Sequence, residues 1–244
     1  LNWSSVPECS GYKIWYSDNL TEILLLNDST AEPADINLTG ADNISYIDSD
    51  AGNNMRRFYR VASFLETIKA FANETVGKLN SDLHQGFNLV SAPLELNNWT
   101  LNNSDPFPTY PIGSISTVYR LVNDSYKKAD YVSDSFYSET IEKITAGEGY
   151  YLYSIQPANL TFVGEVPEND FNYSVAEGST IVGRYAADEL NTTASINTTT
   201  QGDIQTLYRL IESDIYEKSD FVSSDVGYYP ADGDDTFLTI EPGK

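Results

Sequence analysis

The residues of this chain whose type and spacing most clearly suggest chemistry are its asparagines. Thirteen of the twenty asparagines begin an Asn-x-Ser/Thr tripeptide, the acceptor sequence for N-linked glycosylation. At this composition chance would give roughly four such tripeptides. Turn and strand preferences, which also bring asparagine, serine and threonine together, are the alternative explanation. The sequence predicts glycosylation at Asn2, Asn19, Asn27, Asn37, Asn43, Asn73, Asn98, Asn102, Asn123, Asn159, Asn172, Asn191 and Asn197.

Groups that could support catalysis are few. His84 is the single histidine, so any triad that needs a histidine depends on it, and Cys9 is the single cysteine, so no disulfide can form within the chain. We expect His84 in an exposed loop and Cys9 as a small buried hydrophobe. The sequence has no zinc-ligand spacing, phosphate-binding loop or dinucleotide fingerprint. No carboxylate pair stands out among the 36 acidic residues. The sequence therefore favours a protein that is not an enzyme and needs no cofactor.

Two further clusters could bind a ligand. Residues 48–54 read DSDAGNN, and such alternating oxygens around a glycine could wrap a calcium ion. The glycine position is not that of an EF-hand loop, so a plain turn is the simpler interpretation. Aromatic side chains could form a sugar-binding platform, with ordinary core and cross-strand packing as the alternative. The candidates for that platform are Trp99, Tyr110, Tyr150, Tyr151 and Tyr153.

Composition and charge narrow the class of protein. The 244 residues include 18 tyrosines and carry a formal net charge of −22. Tyrosine, threonine, valine and isoleucine favour strands, so we expect an all-β chain with little helix. The acidity argues against binding to nucleic acid or an anionic membrane, because both require clustered Lys and Arg. No apolar run approaches the length of a membrane span. The glycosylation signal favours an extracellular or cell-surface location.

One stretch of sequence occurs twice. The residues GSISTVYRLV at 113–122 return as GDIQTLYRLI at 202–211, and each copy continues through a polar turn into a second run, at 126–132 and 216–222. Isoleucine, threonine, tyrosine and leucine alternate along the first segment of both copies. Such period-2 alternation predicts a strand. The repeat therefore predicts two β-hairpins, the second with one extra residue at its turn.

The first 83 residues resemble a fibronectin type III domain. The resemblance lies in an apolar-x-Trp strand at Trp3, a Tyr-x-Ile run at Tyr12 and a Tyr-x-Val run at Tyr59. It implies a β-sandwich in which Trp3 is the core tryptophan of the second strand and the other two runs are the third and sixth strands. It also implies a loop and then a last strand at about 75–83, although apolar spacing in this region would also allow a short helix. The family's first strand has no counterpart before Trp3.

The expected organisation is therefore three modules, a fibronectin type III-like sandwich at 1–83 and two related β modules at 84–168 and 169–244. The first lacks its opening strand and the last a closing strand, so backbone groups are left for another chain to pair. This pattern suggests a structural subunit of a glycosylated filament, pilus-like fibre or surface layer, polymerising with copies of itself. Its donor strands would be residues 1–5 and 236–240. Truncation would also explain the missing strands. The alternative function is an adhesive or carbohydrate-binding module of a larger secreted surface protein.

Overall fold

The computed structural model shows a chain built mainly from strands, as the composition predicts. Residues 1–80 with 162–166 form one compact unit, and residues 81–161 with 167–244 form the other. The residues that the structure describes are 1–27, 34–65, 67–95, 113–132, 135–137, 141, 144–146, 148–166, 179, 181, 190–191, 206–212, 215–223, 227–230 and 239–240.

The described elements are short. A helix, α1, spans Leu20–Leu24, and a 3-10 turn spans Ala51–Asn53. The strands, in chain order, are β1 (Gly11–Ser17), β2 (Ile36–Thr39), β3 (Arg56–Leu65), β4 (Thr67–Phe71), β5 (Val76–Leu83), β6 (Gly86–Ser91), β7 (Ile115–Val122), β8 (Ser125–Val132), β9 (Ser135–Tyr137), β10 (Gly149–Ser154), β11 (Ala158–Glu165), β12 (Leu190–Asn191), β13 (Thr206–Glu212), β14 (Ile215–Ser223), β15 (Gly227–Pro230) and β16 (Thr239–Ile240).

The first sheet has the strand order β11-β5-β3-β1-β2, with β4 pairing against β3. Its core forms around β1, where Tyr12 and Ile14 are fully buried on one face, while fully buried Phe58 of β3 lies opposite Ser17 and so belongs to the face of Trp15. On the other face of β1, the Trp15 ring packs against Phe71 of β4 with 5.2 Å between ring centroids. Burying each such side chain contributes about 1.5–3 kcal/mol, so the run at 12–15 is a main source of this unit's stability.

The second sheet has the order β6-β10-β7-β8-β9. Alternate residues of its strands point into a core in which Val118 of β7, Ala129 of β8, Phe136 of β9 and Leu152 of β10 are all buried. The strand β10 pairs with β6 on one side and β7 on the other. Because β10 lies between β6 and β7, its backbone groups are paired along both edges. The face of β10 that points away from the core can carry large side chains.

Both predicted hairpins form, and they share one register. In β7–β8, Thr117 lies opposite Asp130, and in β13–β14, Thr206 lies opposite Asp220. Each hairpin continues into a third strand that the sequence analysis did not identify, β9 or β15. On this third strand, an equivalent tyrosine lies opposite the aspartate of each copy. The extra residue of the second copy is absorbed by a register shift near Ile211, so the pairing upstream of the turn is unchanged.

The turn of the first hairpin is a two-residue loop with left-handed backbone. Asn123 and Asp124 have φ angles of 49° and 56°, the signature of a type I′ turn. The handedness of such a turn matches the twist of the flanking strands, and asparagine and aspartate tolerate this conformation better than most residues do. The placement of Asn123 at the hairpin turn is confirmed.

The first unit contains two elements, α1 and β4, that local sequence patterns did not predict. The acidic segment after β1 contains α1, whose first turn is capped by Asn19, the side chain of which accepts a hydrogen bond from the Thr21 amide at 3.0 Å. The segment after β3 turns back at once as β4 rather than forming a loop or a helix, because Leu65 and Thr67 already pair across the turn. The strand expected at 75–83 is present as β5.

Residues 1–3 do not form a regular strand but do have backbone partners in their own chain. The Trp3 amide donates to the Ile44 carbonyl and the Tyr46 amide donates to the Leu1 carbonyl, both at 3.0 Å. The Trp3 ring is half-buried and meets Tyr12 edge-on at 5.3 Å. The first candidate donor segment is therefore paired within the chain.

The second candidate donor segment is also paired where it is described. Ile240 and Thr239 of β16 lie opposite Leu190 and Asn191 of β12, while residues 236–238 lie outside the described part. The strand β11 lies within the predicted module at 84–168 but joins the first sheet beside β5. The Val166 amide continues this pairing by donating to the Thr75 carbonyl at 2.7 Å. Period-2 alternation marks a strand but not its partner.

Candidate functional site

The second sheet presents an exposed face that is rich in aromatic side chains. Alternation along β10 buries Tyr150 and Leu152 and turns Tyr151 and Tyr153 to the other side. The register carries this side across the sheet, since Tyr151 lies opposite Tyr119 of β7. We call this surface the tyrosine face, and its residues are Phe87, Thr117, Tyr119, Leu121, Tyr126, Lys128, Asp130, Tyr137, Tyr151 and Tyr153.

Rings of the tyrosine face contact one another in a continuous chain across three strand pairs. Centroid distances are 5.0 Å between Phe87 and Tyr153, 5.9 Å between Phe87 and Tyr119, 6.5 Å between Tyr119 and Tyr126, and 6.0 Å between Tyr126 and Tyr151. All lie within the range of favourable edge-to-face or tilted pairs. Tyr126 is nevertheless 59% exposed and Tyr153 is 37% exposed, so the rings hold each other in place while leaving surface for a ligand.

A polar row crosses the same face beside the rings. The Thr117 hydroxyl donates to one carboxylate oxygen of Asp130 at 3.1 Å, and the Lys128 ammonium contacts the other at 2.6 Å. The hydrogen bond from Lys128 lowers the pKa of Asp130, and the same contact raises the pKa of Lys128. Tyr137, which is 68% exposed, lies opposite Asp130 on the next strand. The row therefore offers a fixed carboxylate acceptor and an ammonium donor between aromatic rings.

The five residues predicted to form a sugar-binding platform fall into three groups. Tyr151 and Tyr153 lie together on the tyrosine face, whereas Trp99 and Tyr110 lie outside the described residues. Tyr150 is fully buried, so its assignment to an exposed platform is wrong. Its hydroxyl donates to Glu148 at 2.7 Å and accepts from the Thr145 amide at 2.9 Å. Burial, together with the Glu148 contact, raises the pKa of Tyr150 to about 12.

Sequence reasoning missed four aromatic members of the face, which come from strands distant in sequence. Side-chain alternation along the predicted hairpin could have identified two of them. Tyr119 and Tyr126 point to the same side of the hairpin as Thr117 and Asp130. Phe87 and Tyr137 enter through the pairing of β6 with β10 and of β9 with β8. Strand order decides which strands are neighbours, and no local pattern contains it.

The sequon asparagines form the second candidate site, and their exposure is uniform. Asn98, Asn102, Asn172 and Asn197 lie outside the described residues, and only the backbone of Asn191 is described. All the others are exposed. Of the four remaining asparagines that are described, Asn53 is exposed, Asn54 and Asn80 are half-buried and Asn88 is buried. Exposure therefore follows the tripeptide rather than asparagine in general. The exposed sequon asparagines are Asn2, Asn19, Asn27, Asn37, Asn43, Asn73, Asn123 and Asn159.

The acidic loop at 48–54 is stabilised by protein groups. One carboxylate oxygen of Asp48 accepts from the Asp50 amide at 2.9 Å, and the other accepts from the Tyr59 hydroxyl at 2.6 Å. Burial alone would raise the pKa of Asp48, but these hydrogen bonds and the nearby Arg57 guanidinium hold it below its ordinary value. Burial and the bond to Asp48 raise the pKa of Tyr59 well above its usual range.

A lysine ammonium occupies the carbonyl side of this loop. The Lys78 ammonium donates to the Ala51 carbonyl at 2.8 Å and to the Asn54 carbonyl at 2.5 Å. Burial, with repulsion from Arg57, lowers the pKa of Lys78. The carbonyls that could have faced a calcium ion thus face a cation of the protein itself. Among the described residues, no cluster of three or more His, Cys, Asp or Glu is arranged to hold a metal ion.

His84 and Cys9 are not combined into a reactive pair. His84 is half-buried rather than exposed, and its backbone amide donates to the Asn88 side chain at 2.9 Å where β5 gives way to β6. Cys9 is half-buried as well, rather than a core residue, and its thiol is free. The Tyr12 hydroxyl in this region accepts from the Val6 amide at 2.8 Å and donates to the Ala41 carbonyl. These contacts tie the N-terminal segment to the core.

No protein-family model, no curated protein and no solved structure matches the chain. A search of the described helices found none with the length and apolarity to cross a membrane. The candidate sites therefore have to be interpreted from their own geometry.

Proposed function

We propose that the chain is a structural subunit of an extracellular, N-glycosylated assembly in which copies join head to tail by exchanging a β-strand. The observation that carries the proposal is the exposure of all eight sequon asparagines whose side chains are described. A glycan needs an asparagine side chain that reaches solvent, and a chance excess of tripeptides would not sort exposed asparagines from buried ones. Thirteen glycans and a net charge of −22 would keep a dense array of such subunits hydrated and separate.

The architecture of the first unit supports the resemblance to a fibronectin type III domain. The strands β1, β3 and β5, which correspond to the third, sixth and last strands of that family, are neighbours in one sheet. In immunoglobulin-like sandwiches, the family's wider class of architecture, these three strands also share a sheet. The pairing of residues 1–3 with residues 44–46 supplies a separate edge, as the second strand would in such a sandwich. A module of this kind is a rigid spacer suited to a fibre.

Strand exchange needs no contact that the chain does not already make. Residues 1–3 are held to residues 44–46 mainly by backbone bonds, including the pair that joins Leu1 and Tyr46. Passing this segment to the same site on the next copy keeps every bond and links two subunits. When each copy passes its segment to the next copy rather than back to the donor, the contact is heterologous and does not close, so it yields a filament rather than a dimer.

The test compares two substitutions at one position. Tyr46→Pro removes the amide that donates to Leu1, whereas Tyr46→Ala loses the same ring but keeps that amide. In sedimentation velocity of the glycosylated protein, we expect wild type and Tyr46→Ala to sediment as polymers and Tyr46→Pro as a monomer. Monomeric wild-type protein, or a polymer that survives Tyr46→Pro, contradicts strand exchange. An intact mass of about 27 kDa from the native source contradicts glycosylation.

A second candidate function is an adhesive or carbohydrate-binding module of a surface protein. The observation that favours it is the tyrosine face, where Tyr126 and Tyr153 remain exposed although they belong to a connected aromatic cluster. Exposed aromatic surface rimmed by polar groups is typical of interaction sites rather than of inert surface. The two functions are compatible, since a subunit can both assemble and adhere.

A further inference from the structure

The two hairpins provide an internal comparison that separates the tyrosine face from the core. Their shared register defines thirteen equivalent positions, at 117–121, 126–131 and 136–137 in the first copy. Seven of these belong to the alternation class of the tyrosine face, and all seven carry the same residue in both copies. The seven in the second copy are Thr206, Tyr208, Leu210, Tyr216, Lys218, Asp220 and Tyr229.

The other alternation class has diverged. Of its six positions, only Arg120 keeps its identity, as Arg209, while buried Val118 corresponds to leucine and buried Ala129 to serine. A fold constrains its buried positions first, because volume changes in a core are felt directly, and leaves exposed positions to drift. The pattern here is the opposite. It indicates that the positions of the tyrosine-face class have been kept unchanged by a function of their side chains, rather than by the packing of the hairpin.

We infer that the tyrosine face binds a neutral, hydroxyl-rich polysaccharide. Its exposed rings, with Tyr126 at the centre, can cover the C–H face of a sugar ring. Asp130, already anchored by Thr117 and Lys128, accepts hydrogen bonds from sugar hydroxyls, and Lys128 donates to them. A few fixed polar groups among aromatic walls are the usual composition of a small-molecule binding site. The inference rests on the adhesive function proposed above.

Charge and polarity on the face argue for this ligand over a protein surface. The Lys128–Asp130 pair lies on the face and is well exposed, and a dry protein interface would have to desolvate it at a cost. The net charge of −22 opposes the close approach of a polyanion, but not of a neutral polymer. A polysaccharide also repeats its own unit, so one chain of sugars presents the same chemistry to both copies of the hairpin.

The experiment uses the intact glycosylated protein and soluble neutral polysaccharides, namely a β-glucan, a mannan and a galactan tested one at a time by affinity electrophoresis and titration calorimetry. Polygalacturonate serves as the anionic comparison. We expect at least one neutral polymer to bind and polygalacturonate to bind more weakly. Tyr126→Ser and Tyr216→Ser should each weaken binding about tenfold, and the double variant should weaken it more than either. Ile155→Ser, an exposed apolar residue outside the face, is the control and should bind like wild type.

Each other outcome rejects a defined part of the inference. Wild-type protein that binds none of the neutral polymers overturns both the face and the adhesive function. Binding that persists unchanged in the Tyr126→Ser/Tyr216→Ser double variant overturns the face alone and leaves the adhesive function standing. If the double variant no longer self-associates in sedimentation but still binds polysaccharide, the face is a contact between copies and the inference is overturned. Near-ultraviolet circular dichroism of each variant checks that it retains the native fold.

Discussion

Asn123 combines two roles in one residue, because it is both a sequon asparagine and a turn residue with φ of 49°. Glycine adopts this conformation freely, whereas alanine pays about 1 kcal/mol or more for it. We therefore expect Asn123→Gly to be at least as stable as wild type and Asn123→Ala to be about 1 kcal/mol less stable than Asn123→Gly. Both variants remove the same glycan, so chemical denaturation of the pair isolates the backbone effect. Equal stability of the two variants would contradict the type I′ turn.

Tyr150 is the clearest case of a residue whose role depends on burial. Its hydroxyl links Glu148, which also pairs with Arg120, to the amide of Thr145. Tyr150→Phe leaves that amide without its acceptor, so the free energy of unfolding should fall by about 1–3 kcal/mol. Tyr126→Phe, on an exposed ring, is the control and should leave it unchanged at neutral pH.

The pKa of Tyr150 also predicts an alkaline transition. Because its folded-state value of about 12 lies above the ordinary value of about 10, the stabilisation is complete below pH of about 10 and is lost as the pH rises towards 12. Denaturation curves recorded across this window should show wild-type stability falling, and Tyr150→Phe should show a shallower slope. Some slope will remain, since the pKa of Tyr59 is raised as well. An identical slope in the variant would contradict the assignment.

At the scale of elements, the outer strands of the first sheet each carry a sequon. Asn37 lies in β2 and Asn159 in β11, and these strands end the sheet order on either side. An exposed strand edge is a template for unwanted pairing, and natural proteins cover or charge it. Glycans on these two residues would shield both edges laterally while leaving the exchange site at residues 44–46 available. Filaments would then grow in length without bundling.

This arrangement predicts a gain of lateral association when the two sequons are removed. The Asn37→Gln/Asn159→Gln double variant, expressed with its other glycans, should form laterally associated bundles that sediment faster than wild type. Asn73→Gln removes an exposed sequon that lies between β4 and β5 rather than in an edge strand, and it should behave like wild type. Equal bundling by Asn73→Gln and the double variant would show that total glycan mass, rather than edge shielding, matters.

At the scale of the whole molecule, three surface properties act together. The acidic net charge and the proposed glycans would keep neighbouring copies apart and hydrated, whereas the tyrosine face is aromatic and carries an ammonium group. Among the described residues, this face combines exposed aromatic rings with fixed polar groups, which favours binding there. The proposed assembly therefore separates its tasks, with backbone exchange for cohesion, glycans for spacing and the tyrosine face for contact with polysaccharide.

Local sequence determined much of the fold, because alternation, turn residues and sequons act over a few residues. The β7, β8, β13 and β14 strands, both hairpins and the turn at Asn123 follow from such patterns. Tertiary structure decided the features that depend on which strands become neighbours. It placed β11 beside β5, buried Tyr150 while exposing Tyr151, and brought Lys78 to the loop at 48–54. Alternation states that two residues point to opposite sides of a strand, but only the packed sheet decides which side meets water.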